Sequence, residues 1–331
     1  MLLHHGTSFH HADARHGRRA AARPAGSGQE ERPMKRPPRL LPFLAFGASL
    51  VVACTGAASP SPAAQSPVTS ASPSAAASPI TAPTSLIKPG TVTDCVDIEY
   101  PPMEMFPSTS VTDPNMAVGF DVEGAQAVAK AWNLPLTVRN VGFDALIPDL
   151  SAGRCDLVWT ALYISDARLK VADAVPYMAT GWVVMVPTGN PKGIKTKDDL
   201  CGKKVSIQTG GQVEIEIKNA SQACTTAGKG AITIAGYPKV ADEFQQIVLG
   251  RVDAVWETDT AVLNFQFTNP GKYENAFAFP KDRTYGVYFQ KNKADVKTAL
   301  QAALLQLKTD GTLGNLATKY KLDPTSLDAI K

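Results

Sequence analysis

Histidine is missing from most of this chain. All five (His4, His5, His10, His11 and His16) lie in the first sixteen residues of 331, so nothing downstream can form a Ser-His or Cys-His nucleophilic pair or an imidazole metal site. No C-x-x-C spacing occurs either, which speaks against zinc. A surplus of positive charge is also lacking once the front end is set aside. The chain counts 33 Lys/Arg against 30 Asp/Glu, but eight basic and three acidic residues fall within 1–54, leaving 25 against 27, a net of −2. The basic excess belongs to the leader, and nucleic-acid binding loses its electrostatic support. The apolar run from Leu40 to Val52 has 13 residues, too few for a membrane-spanning helix, which needs about 20.

What the front end does contain is an export signal. Residues 1–33 show no apolar periodicity. The basic segment Met34-Lys35-Arg36-Pro37-Pro38-Arg39, the short apolar run and small residues at its end make a secretory signal, with translation expected to start at Met34. Val51-Val52-Ala53-Cys54 resembles a bacterial lipobox, in which the cysteine becomes the lipidated first residue of the mature protein. Residues 55–90 are almost wholly Ala, Ser, Pro and Thr, a composition that buries no core and behaves as a semi-extended spacer. The expectation is a leader over 1–54, a tether over 55–90 and an extracytoplasmic domain lipid-anchored to the bacterial cell membrane through Cys54.

Four cysteines follow Cys54: Cys95, Cys155, Cys201 and Cys224. An even count in an exported domain predicts two disulfides, and three pairings are possible. Cys201 with Cys224 is the first choice because both sit in one segment; Cys95 with Cys155 would then join two strands elsewhere. Each contributes about 3–4 kcal/mol by loop-closure entropy.

About 240 residues remain from Thr91 to Lys331, enough for two modest α/β domains. Their organisation is announced by an internal echo. Gly153-Arg154-Cys155-Asp156-Leu157-Val158-Trp159 is answered by Gly250-Arg251-Val252-Asp253-Ala254-Val255-Trp256. Phe143, Ile147 and Leu150 step at helical spacing before the first copy, and Val240, Phe244 and Ile247 before the second. Each unit reads as an amphipathic helix, a glycine stop and a short buried strand. Further strands are predicted at 91–98, 136–140, 181–186, 203–208, 231–235 and 285–290. Helices are predicted at 121–132, 212–220, 294–309 and 313–320. Such alternation implies largely parallel sheets with crossover helices and a ligand site beyond the carboxyl ends of the strands.

Several segments resemble the polar amino acid-binding proteins of ABC importers (bacterial family 3 type). In the first half they are Tyr100-Pro101-Pro102-Met103-Glu104, Val118-Gly119-Phe120-Asp121-Val122, Gly142-Phe143-Asp144-Ala145-Leu146-Ile147-Pro148, Cys155-Asp156 and Ile164-Ser165-Asp166-Ala167-Arg168. Val175-Pro176-Tyr177, Gly202-Lys203-Lys204-Val205 and Lys308-Thr309-Asp310-Gly311-Thr312-Leu313 follow in order. The resemblance implies a two-lobed type II clamshell: lobe 1 from 91–186 and 286–331, lobe 2 with hinges over 187–285. Hinge strands are expected near Val186–Gly189 and Arg283–Gly286.

It also implies a site. Arg168 stands where the family clamps a ligand carboxylate, and a guanidinium gives a carboxylate two parallel charge-assisted bonds. Asp97 and Tyr100 fall at cleft positions after the first strand, Asp97 as acceptor for an amino or guanidino group and Tyr100 to stack on a ligand or face its cation. Thr160 matches a small hydroxylic or Gly position, and Leu146 is wall or core. Trp159 and Trp256 end the echoed strands; such aromatics usually serve as core, though both stand next to the predicted cleft. Two positions depart from the family. Its Gly-Thr-Thr segment reads Gly210-Gly211-Gln212, and its ammonium-binding Asp falls on Thr258, flanked by Glu257 and Asp259. Tyr163 also replaces a small hydroxylic residue. The expected function is capture of a small polar solute, an amino acid or related compound, by hinge closure and delivery to ABC permease subunits, by a monomer without catalysis, cofactor or metal. The alternatives are a ligand-sensing subunit for a signalling partner and a dehydratase of the prephenate or arogenate type, which shares the fold.

Overall fold

A computed structural model describes residues 80–331. The signal, Met34, the lipidation site Cys54 and most of the tether lie outside the described residues. The chain first forms β1 (Val92–Val96), α1 (Phe120–Ala131), β2 (Leu136–Asn140), α2 (Leu146–Ser151), β3 (Leu157–Val158), the one-turn α3 (Asp166–Leu169) and β4 (Ala172–Thr180). It then crosses over to build β5 (Trp182–Pro187), β6 (Lys204–Gln208), α4 (Gln212–Thr226), β7 (Thr233–Tyr237), α5 (Val240–Val248), β8 (Ala254–Thr258), α6 (Asp259–Thr268) and β9 (Tyr273–Ala278). It returns as β10 (Arg283–Gln290), α7 (Ala294–Thr309) and α8 (Thr312–Lys319).

Two five-stranded sheets result, ordered β2-β1-β3-β10-β4 and β7-β6-β8-β5-β9. In each, four strands share one direction and one runs against them: β10 is antiparallel to β3 and β4, β5 to β8 and β9. The reversed strand is in both cases the one delivered by a crossing from the other lobe. The sheets are therefore largely parallel, as the alternation of elements predicts.

The echo has a structural cause. Gly153 and Gly250 end their helices at φ +70° and +64°, a conformation that favours glycine. The Asp156 carboxylate accepts from the Thr93 N–H (2.8 Å) at the start of β1, and the Asp156 N–H donates to the Thr93 carbonyl (2.8 Å). Asp253 repeats both bonds with Lys204 at the start of β6 (2.9 and 2.7 Å). Each copy thus pins the central strand of its sheet to its parallel neighbour. Both disulfides form as expected, Cys95 to Cys155 and Cys201 to Cys224.

Two boundaries need correction. The segment 181–186, expected in lobe 1, is β5 and pairs within the second sheet, so the first crossing falls at Gly181 rather than at Val186–Gly189. The second crossing runs between β9 and β10, ending where Arg283 begins. A buried apolar run reveals a strand but not which sheet takes it. At Gly181 a Cβ would meet the carbonyl oxygens of Pro280 and Phe279 at 3.0 and 3.1 Å, so the crossings lie side by side. The tether also ends earlier than its composition implies. Leu86 is buried and Ile80 and Ala82 pack on the core. The Asp295 carboxylate on α7 accepts from the N–H groups of Thr84 (2.9 Å) and Ser85 (2.8 Å) and from the Ser85 hydroxyl (2.7 Å).

Candidate functional site

The first wall of the cleft comes from loops at the carboxyl ends of β1 and β3. Asp97 follows β1 directly, and its N–H donates to the Thr160 hydroxyl oxygen (3.1 Å). The Thr160 O–H donates to Glu104 (2.7 Å), so its one proton is already engaged. Ala161, next in sequence, holds φ +45° and donates its N–H to Asp121 (2.6 Å). This backbone turn aims the following residues into the cleft. Arg168, capped within α3 by the Ser165 side chain, donates from Nη1 to the Tyr163 carbonyl (2.9 Å), which also accepts from the Tyr288 hydroxyl (2.6 Å). Its guanidinium carbon lies 5.8 Å from the centre of the Phe143 ring. No carboxylate of the described residues pairs with it, and burial lowers its affinity for the proton. It is a positioned cation with N–H groups to offer.

The second wall comes from the other lobe. Gly211 caps α4, and with Gln212 and Val213 it brings that helix's N-terminus to the cleft, an end that favours negative charge. Glu257 and Thr258 end β8, opposite Tyr100. The Tyr100 hydroxyl donates to Glu257 (2.8 Å) and lies 2.6 Å from the Thr258 hydroxyl, joining the lobes through the middle of the cleft. Lys239 pairs with Glu99 across the rim. The lobes leave only about 20 Å³ at the centre, close to the space one water occupies, so an amino acid enters only if the walls part. Outside, the mouth widens to about 350 Å³ beside Asp97, Glu99, Asp144 and Lys239.

Buried carboxyl groups back both walls. Burial, then Glu99 and Asp144, pushes Asp97 up to about 7 against the opposing pull of Lys239. Behind it, burial pushes Asp121 up to about 7 although Tyr177, Ala161 and Trp159 all donate to it. Burial and then the Asp121 charge raise Glu104 well above the carboxylate range. The second lobe repeats the device. Glu243 on α5 is fully buried and neither of its carboxyl oxygens has a hydrogen-bond partner among the described residues; burial raises it, and burial likewise raises Glu257.

The structure brings Asp97, Tyr100, Thr160, Arg168, Gly211, Gln212 and Glu257 to one cleft. It does not bring the others. Leu146 is wholly buried in the core around the Cys95–Cys155 bridge. Trp159 and Trp256 are also wholly buried and face away from the cleft: Trp159 packs on Gly124 of α1, where a Cβ would come within 2.9 Å of its ring, and Trp256 stacks on Phe279 at 4.8 Å. Alternation along β3 and β8 turns each Trp to the core face once the next residue faces the ligand. Asp259 braces the hinge, accepting from the Thr180 hydroxyl (2.6 Å) and pairing with Lys281 (3.2 Å). Phe143, Ala161, Tyr163, Gln208 and Val213 line the cleft without having been singled out as contacts. Phe143 was hidden by its helical spacing with Ile147, for it sits in the 3-10 turn before α2. Tyr163 carried a signal in its replacement of a small residue.

The sequence profile of the bacterial extracellular solute-binding proteins, family 3, matches residues 92–323. The L-cystine-binding protein TcyJ of Escherichia coli (strain K12) is 29% identical over 233 residues, covering 70% of this chain and 82% of that one. The lysine/arginine/ornithine-binding periplasmic protein of the same strain is 29% identical over 211 residues, covering 61% and 78%. Among solved structures, an ancestral arginine-binding protein bound to arginine has a TM-score of 0.62 at 28% identity, covering 70% of this chain and 98% of that one. These relatives are solute-binding proteins, not enzymes.

Proposed function

The chain belongs to the bacterial extracellular solute-binding proteins of family 3 and has the two-lobed type II periplasmic-binding-protein fold, and on that premise we propose that it captures an amino acid or close relative and delivers it to an ABC importer. The observation that carries this reading is Arg168, held by the Tyr163 carbonyl on one wall of a two-lobed cleft and paired with no carboxylate among the described residues, with the α4 N-terminus on the other wall. That pair of features suits a carboxylate. Asp97, Glu99 and Asp144 at the mouth suit a positively charged far end, with Lys239 able to meet a second carboxylate. Arginine, lysine, ornithine and cystine, the solutes named for the relatives, have that form. With Asp259 committed to the hinge, Glu257 is the second-lobe carboxylate left for a ligand ammonium, and Thr258 offers a hydroxyl beside it. Binding parts Tyr100 from Glu257, and closure brings the two walls against the solute. The protein works as a monomer, tethered through a lipid on Cys54, and docks on permease subunits.

Native mass spectrometry of the protein as purified tests the reading. A co-purified amino acid that leaves on mild activation is expected. A cleft that takes no amino acid on later addition overturns it.

A further inference from the structure

A chain of buried hydroxyl groups runs from the clasp between the lobes to β10. Tyr100, from lobe 1, meets Glu257 and Thr258 of lobe 2. The Thr258 hydroxyl oxygen lies 3.1 Å from that of Thr260, in the first turn of α6. Thr260 in turn lies 3.0 Å from the hydroxyl of Tyr285 on β10, back in lobe 1. None of these side chains is more than 6% exposed, and burial raises both tyrosines above their ordinary range, so each phenol keeps its proton. A hydroxyl has one proton, and that fixes the direction of the whole chain. Tyr100 gives its proton to Glu257 (2.8 Å), so at its 2.6 Å contact with Thr258 it accepts and Thr258 donates. With the Thr258 proton so placed, Thr260 donates to Thr258, and Tyr285 donates to Thr260. The Thr258 oxygen also accepts from the Ala261 N–H (3.2 Å). Both its lone pairs are then filled, and it can only donate.

We propose that Thr260 and Tyr285 are positioning residues that hold Thr258 as a one-way donor, so that the second wall selects a solute head group with an acceptor atom for Thr258 beside a donor for Glu257. This rests on the amino acid reading above. A solute that displaces Tyr100 takes over both bonds its hydroxyl made. An ammonium satisfies Glu257 but has nothing to accept the Thr258 proton, whereas a carboxylate oxygen accepts it. The adjacent ammonium and carboxylate of an amino acid supply both. A bare amine leaves the Thr258 proton unpaired in a closed cleft, which weakens its binding. Removing the Thr260 hydroxyl opens a lone pair on Thr258 to an ammonium. Removing the Tyr285 hydroxyl lets Thr258 turn its proton to Thr260. Either change relaxes the selection.

The test is isothermal titration of the unmodified protein, Thr260→Val, Thr260→Ser and Tyr285→Phe with L-arginine and with agmatine, which is L-arginine without its carboxylate, alongside melting temperatures. Agmatine also lacks a partner for Arg168, but that loss is common to every protein compared. The preference for L-arginine is expected to fall about tenfold in Thr260→Val, to fall in Tyr285→Phe as well, and to stay at the parent value in Thr260→Ser. An unchanged preference in Thr260→Val and Tyr285→Phe, whether both affinities drop alike or neither does, overturns the inference. Tyr285→Phe removes only a hydroxyl and carries the comparison alone if Thr260→Val melts early. A second measurement needs no solute. In the empty protein with ¹³C-labelled threonine, NMR is expected to place the Thr258 hydroxyl proton next to the Tyr100 ring and the Thr260 proton next to Thr258. A Thr258 proton directed at Thr260 overturns the inference. Failure of the unmodified protein to bind either probe would count against the cleft reading, and the proton positions would still judge the chain of hydroxyls.

Discussion

Asp97 sits where burial and two neighbouring carboxyl groups oppose its ionisation, and it follows that both stability and affinity depend on pH. With its native pKa near 7, Asp97 keeps a proton between about pH 4 and 7 that the unfolded chain has released, so its contribution to stability is lost as pH rises through that window. Asp121 acts in the same direction. A cationic ligand at the mouth selects ionised Asp97, so its binding strengthens over the same range. Titrations with L-arginine from about pH 5 to about pH 8 should show affinity rising with pH, and less steeply in Asp97→Asn. Thermal melts of Asp97→Asn should also fall less between those limits. Equal pH slopes for both proteins would remove Asp97 from the ligand's far end. Asp97, Tyr100 and Arg168 were legible because each is a polar residue fixed at a strand end or in a recognisable segment. The roles of Thr160 and Asp259 were not, since only the fold reveals that Glu104 takes the one hydroxyl proton and Thr180 and Lys281 take the other carboxylate.

At the scale of elements, periodicity located the helices and strands closely: 136–140 and 294–309 coincide with β2 and α7. It missed the one-turn α3, β4, β9 and α6. In β4, Pro176 interrupts the pattern, and both β4 and β9 lie at sheet edges where burial is incomplete. The strap over 80–90 was masked by its Thr, Ser and Pro content, yet Leu86 and the bonds to Asp295 attach it to lobe 1. Those bonds hold the Asp295 carboxyl well below the ordinary carboxylate range, the Ser85 hydroxyl most of all. Asp295→Ala should therefore release the strap at a cost near that of losing a helix cap, about 1–2 kcal/mol, seen as a melting temperature lower by roughly 2–4 °C. Limited proteolysis should then cut within 80–90 without touching the lobes. A variant as resistant and as stable as the parent would mean that Leu86 alone retains the segment.

For the whole molecule, the two lobes are two copies of one plan, joined at Gly181 and at the adjacent crossing before Arg283 and clasped by Tyr100 on Glu257. Capture by such a body requires opening and closing about those crossings, and the lipid proposed on Cys54 would hold the body at the membrane. Cys54→Ala should release the full chain into the medium or periplasm with its solute affinity unchanged; firm retention in the membrane fraction would count against the lipid anchor. The central claim is that the cleft holds a carboxylate on Arg168. Isothermal titration of the unmodified protein, Arg168→Ala and Arg168→Lys with the co-purified solute, alongside their melting temperatures, tests it most directly. Truncating one partner of a buried charge pair costs about 2–5 kcal/mol, so Arg168→Ala should bind roughly 30- to several-thousand-fold more weakly. Arg168→Lys should recover little of this, because a point ammonium lacks the planar fork. Both variants should melt close to the parent. An Arg168→Ala protein that binds within about threefold of the parent would contradict the account.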